Sequence, residues 1–212
     1  MERKRGKIMT APTDTDMKMR ILLAAKRLFA KQGFEGTSVR QICDEAGANV
    51  ALVSYYFGGK ENVFYALFDT FYPVNRIELE SSRFLEPVSG VEFLITEVIR
   101  FRMENPEMIN VLQQEIFKKS HLLPRILNYV LPVWKKLRSL LEEGRTQGLF
   151  QFRSLDNTLF FVMGAVLFHQ KSEYFQGILD DPSPSREQFI EDTLKFVFNG
   201  LGMTSYPEGK DG

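Results

Sequence analysis

Apolar residues in this chain recur at spacings of three and four almost from end to end, and no stretch sustains the two-residue alternation of a half-buried strand. That one feature removes sheets, barrels and sandwiches. The fold class it predicts is all-α.

The first predicted helix carries Ile21, Ala24, Ala25, Leu28 and Phe29 as its apolar stripe, with Thr15 or Asp16 as the cap and Gly33 as the stop. After the turn "GFEGTS", the segment "SVRQICDEAG" opens on a capping box, Ser38 with Gln41, and buries Val39, Ile42, Cys43 and Ala46. Cys43 reads as a small core residue. Asn49 can cap a third, short helix that Gly58 and Gly59 break, and Lys60-Glu61 open a longer one to about Pro73. Longer helices follow over Ser89–Met103, with Ser89 and Glu92 as a capping box, over Pro106–Lys119, and from Pro124 to about Gln147. Pro132 is expected to kink or break the last of these. Two more run from Asp156 to about Gly177 and from Ser185 to Gly200, separated by the loop "DDPSPS". The domain reading is a basic arm at 1–16, a helix-turn-helix at 17–60, a connecting helix at 61–75, a helical bundle at 76–204 and a tail at 205–212.

Composition sets the class of partner. With 27 Lys/Arg against 27 Asp/Glu the chain is neutral, so it is no uniformly basic nucleic-acid glove. Residues 1–72 hold 11 Lys/Arg and 8 Asp/Glu, the remainder 16 and 19, a mildly basic front end. A single cysteine forms no intrachain disulfide, and no run is long and apolar enough for a membrane span. A cytoplasmic protein without membrane association is expected. Two histidines and one cysteine, far apart, offer no metal cluster, and no nucleotide-binding or nucleophile signature occurs. No enzyme, metal or cofactor is expected.

The stretch "NVALVSYYFGGKENVF" is the informative one. A short helix, a tight turn at Gly47 and a second short helix are the parts of a helix-turn-helix. Val53 and Phe57, four apart, can pack inward, which turns Ala51, Leu52 and Tyr55 outward with Val50, Ser54 and Tyr56 at the sides. An outward tyrosine beside a lysine is suited to phosphate contact, and Thr37, Ser38 and Arg40 add donors at a helix N-terminus that attracts anions.

"TSVRQICDEAGANVALVSYYFGGKENVF", with the approach "AAKRLFAKQGFEGTSV", resembles the DNA-binding signature of the TetR family of bacterial transcriptional regulators over about residues 17–72. The resemblance implies a homodimer with two helix-turn-helix heads on double-stranded operator DNA, and a C-terminal domain that dimerises and binds an effector, usually to relieve repression. Carried over residue by residue, it puts phosphate contacts at Ser38, Arg40, Tyr55, Tyr56 and Lys60. Recognition-helix positions fall at Ala48, Asn49, Val50, Ala51, Leu52 and Ser54. Many members have Lys or Ser-Lys-Gly where this chain has Asn49-Val50-Ala51, and Tyr where it has Ser54, so readout here leans on thymine-methyl contacts. Each assignment has a structural alternative: Tyr56 as core, Asn49 as a cap alone, Lys60-Glu61 as a solvated first turn.

In the second part of the chain, aromatics and methionines exceed what a Leu/Ile bundle needs. Phe101, Met108, Trp134, Phe161, Phe168 and His169 are the candidate lining of a site for a small apolar or aromatic effector, with packing in the core as the alternative. The dimer interface is expected on the last two helices, through Leu159, Val162, Val166 and His169 with Gly164 and Ala165 allowing close approach, and through Ile190, Leu194, Val197 and Leu201 with Phe189, Phe196 and Phe198 widening that face; packing within the chain's own domain is the alternative. The rival reading is a helical small-molecule-binding or adaptor protein without DNA binding. It predicts acids on the outward face of the third helix, and "NVALVSYYFGGK" has none.

Overall fold

The computed structural model describes residues 14–72 and 84–203, with backbone alone at 169–173. Every regular element among them is helical. The first six helices are α1 (Asp14–Gln32), α2 (Val39–Ala46), α3 (Val50–Phe57), α4 (Lys60–Phe71), α5 (Pro87–Glu104) and α6 (Pro106–Lys118). Then come α7 (Leu123–Thr146), α8 (Leu155–Phe168), a 3-10 segment (His169–Ile178) and α9 (Arg186–Gly200). The residues 1–13 of the expected basic arm and the tail 205–212 lie outside the described residues. Asp14–Asp16, assigned to that arm, instead form the first turn of α1, where Asp14 and Asp16 complement the positive end of the helix dipole.

The chain divides into two compact units, the first ending at Tyr72 and including Glu107–Ile126, the second made of the rest. This differs from the sequence-based division, because α6 and the start of α7 go with the head. Lys26 of α1 pairs with Glu107 at 3.0 Å, and the Gln114 side-chain amide donates to the Ala30 carbonyl at 2.8 Å. Arg125 stacks on the Tyr65 ring 3.9 Å from its centroid. The first unit closes around Phe29, Phe34, Phe64 and Phe68, whose neighbouring rings lie 5.4–5.6 Å apart in tilted and edge-to-face pairs. Cys43 is buried against this core, and burial pushes its thiol above the usual range, as befits a packing residue.

In the second unit α9 packs on α5 and α8, and α5 also meets α8. Arg102 donates to the Leu167 carbonyl at 2.9 Å and Arg186 to Glu104 at 2.6 Å. Three local expectations are corrected. The helix expected from Ser89 starts at Pro87, since proline at the first helical position is pre-set for it, and Ser89 donates to the Glu86 carbonyl instead of capping. α7 runs unbroken through Pro132; the carbonyl this proline leaves unbonded belongs to Asn128, and both residues are exposed to water. The helix expected to continue to Gly177 ends at Phe168. From Tyr174 to Ile178 every side chain is exposed, so no buried stripe holds an α-helical period there.

One close approach in this unit is sharply testable. α7 ends where the Leu149 and Phe150 amides both donate to the Gly144 carbonyl, at 2.8 and 3.1 Å, folding the fully buried Phe150 ring back over Gly144. A Cβ at Gly144 would overlap that ring. Alanine gains about 1 kcal/mol of helix propensity there, but overpacking a closed core costs about 1–3 kcal/mol. Gly144→Ala is therefore expected to lower stability to urea, and Phe150→Leu in the same background to recover part of the loss.

Candidate nucleic-acid interface

The helix-turn-helix forms for local reasons. The Ser38 side chain accepts from the Gln41 amide at 3.2 Å and Gln41 returns to the Ser38 amide at 2.8 Å, a complete capping box at the start of α2. Gly47 ends α2 in the left-handed region at φ 64°, which a side chain there would strain. Asn49 caps α3 by accepting from the Ala51 amide at 2.9 Å, and Gly58 at φ 76° with Gly59 at φ 142° stops it after two turns. α3 buries Val53.

The candidate contact residues divide clearly. Asn49, Val50, Ala51, Ser54 and Tyr55 are exposed, as are Ser38 and Arg40 on α2, while Ala48, Leu52, Tyr56 and Lys60 are half-buried. Val50, Ala51, Ser54 and Tyr55 stand at i, i+1, i+4 and i+5, so they share one outward face, and Tyr55 is 76% exposed. No acidic side chain lies on α3. Ser38 caps α2 and Arg40 lies in its first turn, both exposed. Thr37, expected among the outward donors, is instead buried, and its hydroxyl donates to the Gly33 carbonyl at 2.8 Å.

Two residues do more than their types announced. The Lys60 ammonium donates to the carbonyls of Phe34 and Thr37, both at 2.9 Å, and sits 4.1 Å from the centroid of the Phe34 ring. Two of its three N–H donors are therefore committed inside the head. The Tyr56 hydroxyl donates to Asp14 at 2.9 Å, and desolvation together with that carboxylate pushes its phenol above the usual range. Sequence reasoning named neither Asp14 nor the carbonyl partners of Lys60, because those contacts join positions 42, 26 and 23 residues apart. No local pattern reports them.

The candidate effector residues differ in exposure. Met108 is buried in the first unit, whereas Phe101 and Trp134 are half-buried in the second. Phe161 and Phe168 are exposed at 73% and 62%, and the Phe168 ring lies 5.8 Å from that of Phe175 in a tilted pair. The side chain of His169 lies outside the described residues. Of the expected dimer stripe, Val162, Val166, Ile190, Leu194, Val197 and Leu201 are buried within their own unit, which leaves them no exposed surface for a second copy.

A head in which α2 leads through a tight turn into the capped, exposed and acid-free face of α3, followed by a second helical unit, defines a helix-turn-helix protein with an appended helical domain. Residues 21–67 match the family described as bacterial regulatory proteins, tetR family. Among solved structures the chain is similar to HlyIIR, a hemolysin II transcriptional regulator. The two are 31% identical with a TM-score of 0.71, over 89% of this chain and 98% of that one. It is 30% identical to the transcriptional repressor NicS of Pseudomonas putida over 62% of this chain and 64% of that protein. It is also 30% identical to YttP of Bacillus subtilis, a probable transcriptional regulator, over 61% and 65%. Both of these alignments span slightly less than two thirds of the relatives' own lengths. The chain belongs to the TetR family.

Lys60→Met removes the cation, takes the Lys60 donor from the Thr37 carbonyl and leaves the Phe34 carbonyl with the Thr37 amide alone. It is expected to cost about 1–3 kcal/mol in urea denaturation of the purified protein. Lys60→Arg is expected to restore only part, since a planar fork does not fit where a point charge sits between two carbonyls. An unchanged denaturation midpoint in Lys60→Met would mean that water serves those carbonyls equally well.

Proposed function

We propose that this protein is a DNA-binding transcriptional regulator that acts as a homodimer on a palindromic operator in the cytoplasm, with repression as its mode of action. The observation that carries the reading is the α3 face of Val50, Ala51, Ser54 and Tyr55, exposed and without acids, with Ser38 and Arg40 exposed at the start of α2. Such a helix suits the major groove, where Val50 and Ala51 can meet thymine methyls and Ser54 can hydrogen-bond either strand's bases. Arg40 and the Tyr55 hydroxyl suit the phosphates on either side. The test is to sequence genomic fragments that the protein retains at ~100 mM salt, where specific complexes normally survive. The expected result is a two-fold repeat with half-site centres about 34–36 Å apart or somewhat more. Tyr55→Phe and Arg40→Ala are expected to weaken all duplexes alike, and Val50 or Ser54 substitutions to change the preferred half-site. Retention no better than random DNA would end the reading.

A second copy on the same two helices is supported by the aromatic residues beside the expected stripe and not by the stripe itself, which is buried. Phe160, Phe161 and Phe168 on α8 and Phe196 on α9 are 62–73% exposed within one unit. A cluster of exposed aromatics of this kind marks an association surface. Gly164, also exposed and with open space around it, permits close approach on the same helix. Phe161→Glu and Phe196→Glu are expected to give folded monomers by sedimentation equilibrium and circular dichroism. Leu194→Glu, aimed at a buried position, is expected to unfold the protein instead. A wild-type monomer at micromolar concentration would remove the dimer. The reading retains a small apolar or aromatic effector bound by the second unit, where Phe101 and Trp134 are half-buried.

A further inference from the structure

α3 is an eight-residue helix with one fully buried side chain, Val53. A single buried anchor sets where a helix lies but only weakly sets its rotation about its own axis. Rotation decides which of Val50, Ala51, Ser54 and Tyr55 point outward, because each residue turns the face by about 100°. The remaining restraints therefore carry weight. At the C-terminal end of α3 two bridges come from the first turns of α1. Tyr56 donates to the Asp14 carboxylate at 2.9 Å, and the Lys18 ammonium lies 5.6 Å from the centroid of the Phe57 ring. Asp14 and Lys18 are four apart and share one face of α1, while Tyr56 and Phe57 are adjacent on α3.

The hydroxyl geometry has a second consequence. A tyrosine has one O–H to give, and Tyr56 gives it to Asp14. A phosphate brought to the same hydroxyl would meet the carboxylate at close range, and like charges oppose that approach. Tyr55, whose ring meets that of Tyr56 edge-on at 5.2 Å, keeps an exposed hydroxyl beside it for the backbone.

Resting on the DNA-binding reading above, we propose that Asp14 is a positioning residue for the recognition helix. It holds the Tyr56 hydroxyl in the DNA-bound state, and so sets the rotation of α3, while Tyr56 itself touches no phosphate. The pair thus governs sequence preference from outside the groove. Desolvation and the Asp14 contact both raise the Tyr56 phenol above its ordinary range.

A double-mutant cycle on the cognate duplex tests this. Asp14→Ala and Tyr56→Phe are each expected to weaken cognate binding about three- to tenfold, the net scale of one ordinary hydrogen bond, since this one is solvent-exposed. They should weaken non-cognate binding less, so the preference ratio falls. The double variant should bind no worse than either single one, since both remove the same contact. Asp14→Asn, whose amide oxygen still accepts, should bind close to wild type. Additive losses, equal loss on all duplexes for Tyr56→Phe, or an unaffected Asp14→Ala would each overturn the proposal. In the free protein, Asp14→Ala should bring the Tyr56 phenol titration, followed by ring-carbon NMR, down toward the ordinary range. A titration that does not move would overturn the contact whatever the DNA results. A wild-type protein that prefers no duplex refutes the underlying reading, and the proposal with it; a wild-type protein with a clear preference and an additive cycle refutes the proposal alone.

Discussion

The Lys60 ammonium, held between the carbonyls of Phe34 and Thr37 and over the Phe34 ring, is the contact on which the head depends. Those carbonyls belong to the turn that leaves α1, where the chain has no helical partner for them. Lys60 is the first residue of α4, a position where the helix dipole disfavours a cation. The sequence accepts that local cost because the bond closes a loop. Everything between Thr37 and Lys60, which is α2, the Gly47 turn and α3, lies inside a ring sealed by one side chain. Sealing that ring fixes both ends of the helix-turn-helix relative to the phenylalanine core beneath it.

Inside the ring the division of side chains follows from how little α3 has to bury. Two turns of helix put Val53 and Phe57 inward, and of these Val53 alone is fully buried while Phe57 is half-buried. The outward positions are then free of packing duty, and they carry small or short side chains beside one large aromatic, Tyr55. Longer, charged residues would reach further into a groove but would also lose more rotamer freedom on binding. A face of Val50, Ala51 and Ser54 has less entropy to lose and relies on close approach, which requires that the helix be held accurately from behind.

What the sequence made legible was the chemistry that acts within a few residues. The Ser38–Gln41 box, the Asn49 cap and the glycines at 47, 58 and 59 each announce a boundary through their own geometry, and α2 and α3 begin and end there. Where two local signals competed, the reading chose the wrong one at Ser89, because a proline at the first helical position outweighs a serine two residues later. The second duties of Lys60 and Tyr56 were illegible for a different reason. Each depends on a partner more than twenty residues away, and residue type alone predicts a phosphate contact as readily as an internal one. Composition likewise counts aromatics without saying which side of a helix they occupy, and Phe161 and Phe168 turn outward where Phe101 and Trp134 are half-buried.

The association face shows the limit of periodicity most clearly. α9 carries one apolar row in Ile190, Leu194 and Val197, and another aromatic, Phe196, that lies off it. α8 is apolar around most of its circumference, with Val162 and Val166 inward and Phe160, Phe161 and Phe168 outward. A stripe at spacings of three and four says that a helix has a face to bury, and the first claim on that face comes from the helix's own unit, which is always present at full effective concentration. The best-formed stripe is therefore the one least available to a partner. What a second copy can use is the apolar surface left over, and on a helix that is apolar nearly all round that surplus is large. Four exposed phenylalanines on two adjacent helices are such a surplus, each worth about 1.5–3 kcal/mol if fully removed from water. The residues to associate through are thus found by subtracting the core from the apolar set, a step that needs the fold and not the pattern alone.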